Sequence, residues 1–107
     1  MGEPSTKTEY SHIVRTPGIV SGEPRIEGHR VRVRDIVAAR DLGGLTPEEI
    51  AASVYPGLTL AQVYSALAFY EDHREEIDQA MKNEGQFVER FLKNHQQLAR
   101  DVRPAKS

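Results

Sequence analysis

The feature that most constrains the fold is a helix-start pattern that occurs twice. It reads LTPEEI from Leu45 and LTLAQV from Leu58. In each copy a threonine can cap the helix, and a Glu or Gln three residues later can close a capping box. The leucine before the cap can pack against the apolar residue that follows the box. Two independent rules agree twice, and they predict helices over 47–54 and 60–70 with a tight turn over 55–59.

Shorter patterns precede this pair. Residues 12–33 hold apolar, β-branched residues separated by Pro-Gly and Gly-Glu-Pro turn signals, which predicts two or three short strands. The alternation in Val31–Arg34 favours a half-buried strand with its arginines toward solvent. Residues 35–42 place apolar side chains on one helical face. Asp35 suits the N-cap or the first turn of that helix, and Gly43-Gly44 suits its end.

The segment after Tyr70 is amphipathic. Apolar residues recur at helical spacing from His73 to Leu98, and the other face is densely charged. We predict one helix there, with a break at Gly85. The predicted fold class is therefore mainly α, with short N-terminal β-strands, a three-helix bundle and a C-terminal amphipathic helix. The expected divisions are a disordered N-terminus (1–11), a folded domain (12–70) and a helical tail (71–107).

Charge is distributed unevenly along the chain. The 107 residues carry a formal charge of −2, but residues 12–40 sum to +3 and residues 41–107 to −4. This asymmetry allows a positive face on an acidic protein. The absence of cysteine excludes disulfides and thiolate metal sites. No apolar run is long enough for a signal peptide or a membrane span, so we expect a cytoplasmic protein without a membrane partner.

Patterns that carry catalysis are not evident. The four histidines lie far apart in no ligand spacing, and no serine has a nucleophile-elbow context. The glycines fall in turns and do not form a phosphate-binding loop. We therefore expect no enzyme, no metal and no cofactor.

The two capped helices fit a helix-turn-helix, in which the second helix enters the DNA major groove. On that helix Gln62 could read adenine and Ser65 could bond a base or a phosphate. Tyr64, which like them faces away from the apolar stripe, is the third candidate DNA contact. The helix has no Lys or Arg, so phosphate contacts would have to come from the basic segment 22–35. The candidate phosphate contacts are Arg25, Arg30, Arg32 and Arg34. The alternative is that these arginines only line the wet face of a strand.

A resemblance adds to this reading. The order PGIVSGEPRIEGHRVRVRDIV, LTPEEI and YPGLTLAQVYSALAFY resembles the family named domain of unknown function 433, over about residues 12–70. The resemblance implies a homeodomain-like three-helix fold after a small β element. It also implies an antitoxin-like role beside a PIN-like ribonuclease toxin. His29 and Arg32 stand where the family usually has threonine and proline, which frees an N–H for pairing and adds a positive charge, while Arg30 keeps the family's arginine.

Our first hypothesis is a type II antitoxin that binds double-stranded operator DNA as a homodimer, regulates its own transcription and neutralises a ribonuclease toxin with its acidic tail. The alternatives are a stand-alone helix-turn-helix transcriptional regulator and a non-DNA-binding dimeric interaction module. The tail could also pack on its own domain or form the homodimer. The candidate toxin contacts are Ile77, Met81, Val88, Phe91 and Leu92.

Overall fold

A computed structural model describes residues 5–95 of the chain, which are mainly helical with a small sheet at the N-terminal end. Three antiparallel strands, β1 (Thr6–Lys7), β2 (Ile13–Arg15) and β3 (Arg25–Ile26), lie in the order β1-β2-β3. β2 and β3 fall in the region where two or three strands are predicted. β1 differs from the expected disordered N-terminus at residues 6 and 7, because its backbone pairs with β2. Residues 1–4 lie outside the described residues.

The first helix, α1, spans Val33–Asp41, so the strand predicted over Val31–Arg34 is wrong. The backbone N–H of Arg32 donates to the Asp35 carboxylate at 2.9 Å, which fixes a helix start and makes Asp35 a first-turn acid. Four alternating residues are too few to separate period two from period 3.6. The Gly43-Gly44 stop is confirmed: a Cβ at Gly43 would lie 2.7 Å from a backbone oxygen of α1.

The second helix follows its predicted start. α2 spans Pro47–Glu49 and continues into a wider π-type turn at Ile50–Val54. The Thr46 hydroxyl accepts from the Glu49 N–H at 3.1 Å, and the Glu49 carboxylate accepts from the Thr46 N–H at 2.9 Å. The first capping box is therefore confirmed.

The third helix, α3, spans Leu60–Asp72. Its capping box is also confirmed, because the hydroxyl of Thr59 accepts from the Gln62 N–H at 3.1 Å and Gln62 Oε1 accepts from the Thr59 N–H at 2.8 Å. Its buried residues include Val63, Leu67 and Tyr70, the stripe that the sequence assigns to the core.

The tail forms two helices, α4 (Arg74–Asn83) and α5 (Phe87–Asn94), where the sequence predicts one. The predicted break at Gly85 is confirmed. α4 follows α3 at His73, where the sequence predicts the tail helix to begin. The His73 ring stacks on Phe69 with centroids 4.0 Å apart. The predicted extension to Leu98 lies outside the described residues. No helix within residues 5–95 is long and apolar enough to cross a membrane.

One apolar core joins the sheet to the helices. It takes side chains from β2, β3, α1, α3, α4, α5 and the turn that follows α2. The tail contributes Ile77, Phe87 and Phe91, each at most 6% exposed. Burying such side chains stabilises a fold by about 1.5–3 kcal/mol each. The described part of the tail is therefore integral to the domain, as in the alternative in which it packs on its own domain.

The sheet is fastened to the junction of α3 and α4. Arg15 donates to both carboxylate oxygens of Glu76 at 2.6 and 3.0 Å, and its guanidinium lies 5.6 Å from the Phe69 ring centroid. Tyr10 packs edge-on against the same ring and donates to the Asp72 carboxylate. These contacts join residues about 60 positions apart in the chain.

Candidate functional site

The basic segment that the sequence marks for phosphate contact is mostly folded inward. Arg25 is only 7% exposed and donates to the hydroxyl of Thr16 at 2.9 Å and to the carbonyl of His29 at 2.7 Å. Its Nε has no hydrogen-bond partner among the described residues. Arg25 therefore holds the loop between β3 and α1 in place and presents no cation at the surface.

Arg34 is also buried, and it is paired with two acidic side chains. Its side chain is 4% exposed, pairs with the carboxylate of Glu23 and donates to Glu84 Oε1 at 2.6 Å. Its guanidinium also lies 4.7 Å from the ring centroid of Phe87. Burial disfavours the charged guanidinium, but the hydrogen bonds and charges of Glu23 and Glu84 outweigh it and raise the pKa of Arg34. We call Arg34, Glu23 and Glu84 the arginine clasp.

Arg32 and Arg30 differ in exposure and in ion pairing. Arg32 is half-buried and forms a two-point ion pair with Asp35, at 3.1 and 3.0 Å. Arg30 is exposed, and no side-chain hydrogen bond or ion pair engages it within residues 5–95. The adjacent His29 ring comes 3.7 Å from where a Cβ would stand at Gly57. Arg30 thus lies on a loop beside the turn between α2 and α3.

The outer face of α3 holds the other candidate DNA contacts. Gln62 is half-buried, and its side-chain oxygen is used by the capping box. Tyr64 is 48% exposed and its hydroxyl donates to Glu48 Oε2 at 3.3 Å. The negative charge of Glu48 raises the pKa of Tyr64. Ser65 is half-buried. The three residues do share one helix, but an acidic residue adjoins the most exposed one.

The five candidate toxin contacts separate into two groups. Ile77 and Phe91 are buried in the core, at 1% and 6% exposure. Met81 is half-buried, whereas Val88 and Leu92 are 44% and 41% exposed. Periodicity finds the apolar stripe of the tail, but it cannot divide that stripe between a core that the domain supplies and a surface that it leaves open.

Val88 and Met81 line an open groove of about 330 Å³ between α1, α3, α4 and α5. Leu42, 37% exposed just after α1, lines it from the opposite side. The sequence places Leu42 on the core face of its helix and does not mark it as a contact. We call this surface the tail groove; its remaining lining residues are Val37, Ala38, Asp41, Tyr70, Asp78 and Lys82.

Tyr70 contacts three charged side chains at or near the tail groove. Its hydroxyl donates to Asp78 Oδ1 at 2.8 Å, and burial together with this bond raises the pKa of Tyr70. The guanidiniums of Arg74 and Arg40 lie 5.1 and 5.7 Å from its ring centroid. The groove therefore has apolar walls and a fixed acidic group.

The described residues contain no cluster of candidate metal ligands. Across residues 5–95, no three His, Asp or Glu side chains converge in an arrangement that could hold a metal ion. What the described residues offer is a pair of surfaces, the tail groove and the outer face of α3.

These features define a small, mainly helical domain with a three-stranded N-terminal sheet and open contact surfaces. The chain belongs to the family described as "Protein of unknown function (DUF433)", which matches residues 13–70. This confirms the family assignment made from the sequence. A crystal structure of a DUF433 member protein from Anabaena variabilis is 37% identical, with a TM-score of 0.61, over 66% of this chain and 68% of that one. No curated protein matches the chain.

Proposed function

We propose that this chain is an antitoxin-like protein, without enzymatic activity of its own, that neutralises a PIN-like ribonuclease toxin by direct binding in the cytoplasm. The observation that carries the proposal is the tail groove, where Leu42 and Val88 remain more than a third exposed. Leu92, outside the groove and one turn after Val88 on α5, is exposed to a similar extent. Apolar side chains gathered around a concave surface mark protein contacts more often than isolated ones do. The family resemblance supplies the class of partner, and the groove supplies a contact surface.

Charge supports the same choice. Residues 71–95 carry seven acidic and four basic side chains, and Asp41 and Asp78 stand at the groove itself. A ribonuclease binds RNA through a basic surface, which an acidic partner attracts and can cover. Three of the five toxin contacts predicted from the sequence, Met81, Val88 and Leu92, remain available for this role.

The test uses the protein encoded by the gene next to this one. The wild-type chain should abolish the ribonuclease activity of that protein near equimolar ratio. The double variant Val88→Asp with Leu92→Asp should not, because it places one charge in the tail groove and a second on the exposed apolar face of α5 beside it. Both side chains are exposed, so the variant should keep its fold, which circular dichroism checks. Deleting the whole tail is not a usable test, since it would uncover core residues that pack on Ile77 and Phe91.

Lys93→Ala is the matched control, because Lys93 is exposed on α5 but lies outside the tail groove. It should inhibit the ribonuclease as the wild type does. Equal inhibition by the double aspartate variant would remove the groove from the proposal. A neighbouring protein without ribonuclease activity would remove the toxin assignment.

Operator binding by a homodimer, through α2 and α3 as a homeodomain-like helix-turn-helix, stays a prediction. Two capped helices joined by a five-residue turn support it, with the exposed Arg30 beside the turn. Glu48 and Glu49 in the first turn of α2 oppose it, because they would face the phosphate backbone. Arg25 and Arg34 cannot help, since both are buried.

A duplex from the promoter region, titrated at two salt concentrations, tests operator binding. If the prediction holds, Arg30→Ala lowers the salt slope by about one unit. Duplex binding without ribonuclease inhibition would favour the stand-alone regulator. The absence of both duplex binding and ribonuclease inhibition would favour the dimeric interaction module.

A further inference from the structure

The outer face of α3 is a stripe of uncharged side chains that no other described element covers. Leu60, Ala61, Tyr64 and Ala68 are all exposed. Leu60, Tyr64 and Ala68 follow one another at a spacing of one helical turn, and Ala61 lies one turn before Tyr64. Leu60 is 37% exposed and Tyr64 is 48% exposed. A leucine and a tyrosine therefore present a continuous apolar and aromatic surface to solvent.

The charged side chains that α2 brings beside this stripe are acidic. Glu48 and Glu49 lie in the first turn of α2, and the Glu48 carboxylate accepts the hydroxyl hydrogen of Tyr64 at 3.3 Å. No Lys or Arg occurs from residue 46 to residue 73, which includes α2 and α3. An anionic rim repels a phosphate backbone and attracts a cationic side chain.

An aromatic ring next to an exposed carboxylate that forms no ion pair among the described residues matches the chemistry of arginine. A guanidinium can stack on a tyrosine face and at the same time donate paired hydrogen bonds to a carboxylate. Lysine matches this pair less well, because its ammonium is a compact, strongly hydrated charge without a planar fork. We propose that the outer face of α3 docks an arginine-bearing segment of a protein partner, with the guanidinium on Tyr64 and its charge met by Glu48. This surface shares no residue with the tail groove and does not rest on the toxin assignment.

The test uses the full chain and three short helical peptides of leucine and alanine, which carry arginine, lysine or glutamate at the same positions. Backbone amide shifts in NMR titrations locate the contact, and fluorescence anisotropy gives the affinity. The arginine peptide should shift the amides of residues 60–68 and bind more tightly than the lysine peptide. Tyr64→Ala should weaken the arginine peptide by about two- to fivefold, the range of an exposed cation–π contact, and remove its advantage over lysine. Tyr64→Phe keeps the ring and should retain that advantage.

Two further variants separate this surface from general acidity. Glu48→Gln should weaken the binding of both cationic peptides. Leu92→Ala, on the exposed face of α5, should change the affinity of neither peptide. All of these side chains are exposed, so each variant should keep the wild-type circular dichroism spectrum. The proposal is overturned if the arginine peptide shifts residues elsewhere, binds no better than the glutamate peptide, or loses nothing in Tyr64→Ala. It is overturned equally if duplex DNA shifts the amides of residues 60–68.

Discussion

The arginine clasp gives the sharpest prediction, because it decides whether Arg34 is an internal tie or a phosphate contact. Arg34→Ala leaves Glu23 without its cation, leaves Glu84 paired with Arg90 alone, and removes the guanidinium from the Phe87 ring. Breaking a buried ion pair by removing one partner costs about 3–5 kcal/mol. The acid side chains are 19% and 31% exposed, so water partly compensates them. We expect a loss of about 3 kcal/mol in the free energy of unfolding, including about 1 kcal/mol from the ring contact.

Urea unfolding followed by circular dichroism measures this loss, and a thermal scan should show a fall of roughly 10 °C or more in Tm. Arg30→Ala is the matched control, since Arg30 is exposed and should change stability by no more than about 0.5 kcal/mol. Glu23→Gln and the double variant complete a cycle whose coupling energy should be at least about 1 kcal/mol. If Arg34→Ala retains wild-type stability and instead weakens duplex binding, the clasp is the wrong account and Arg34 belongs to the DNA surface.

Three further predictions concern the rest of the fold. The hydrogen bond from Arg90, together with that from Arg34, lowers the pKa of Glu84 in the folded protein. The ionised Glu84 therefore contributes its full stability above the unfolded pKa of about 4.3, and this contribution is lost as the pH falls through the lower folded pKa. Glu84→Gln should flatten the fall in stability at acid pH measured by urea titrations, and an unchanged fall would contradict this account. Thr59→Ala should cost about 1 kcal/mol by removing the cap of α3, measured against Ser53→Ala on the exposed side of the π-type turn. Phe91→Ala should cost about 3–5 kcal/mol in urea unfolding because the ring is buried in the core; a cost under about 1 kcal/mol would mean that α5 does not pack as described.

The elements that local chemistry specifies were predictable. Both capping boxes, the Gly43-Gly44 stop and the break at Gly85 depend on side chains within a few residues of one another, and each is found where the sequence places it. The helix after Tyr70 was placed correctly as amphipathic. Its start near His73 was also predicted, and α4 begins at Arg74.

The candidate site was harder to predict, because which of its side chains are buried or paired depends on residues distant in sequence. Nothing near Arg34 indicates that Glu84, fifty residues later, will pair with it. Nothing in the periodicity of the tail indicates that Phe91 turns inward while Leu92 stays exposed. Arg32 is different, because Asp35 lies three residues away and a helix start would have been the better prediction there.

The charge asymmetry of the sequence has its physical explanation in these long-range pairs. Three arginines of the positive segment 12–40 lie against acids of the negative segment that follows it: Arg15 pairs with Glu76, Arg34 with Glu84, and Arg40 approaches Glu71 at 3.8 Å. The two halves of the chain therefore neutralise each other within the fold, and the positive segment does not become a positive face. Asp41 and Asp78 then outnumber Lys82 at the tail groove, and Glu48 adjoins Tyr64. A partner that meets either surface should be cationic, which favours a basic protein over a nucleic acid.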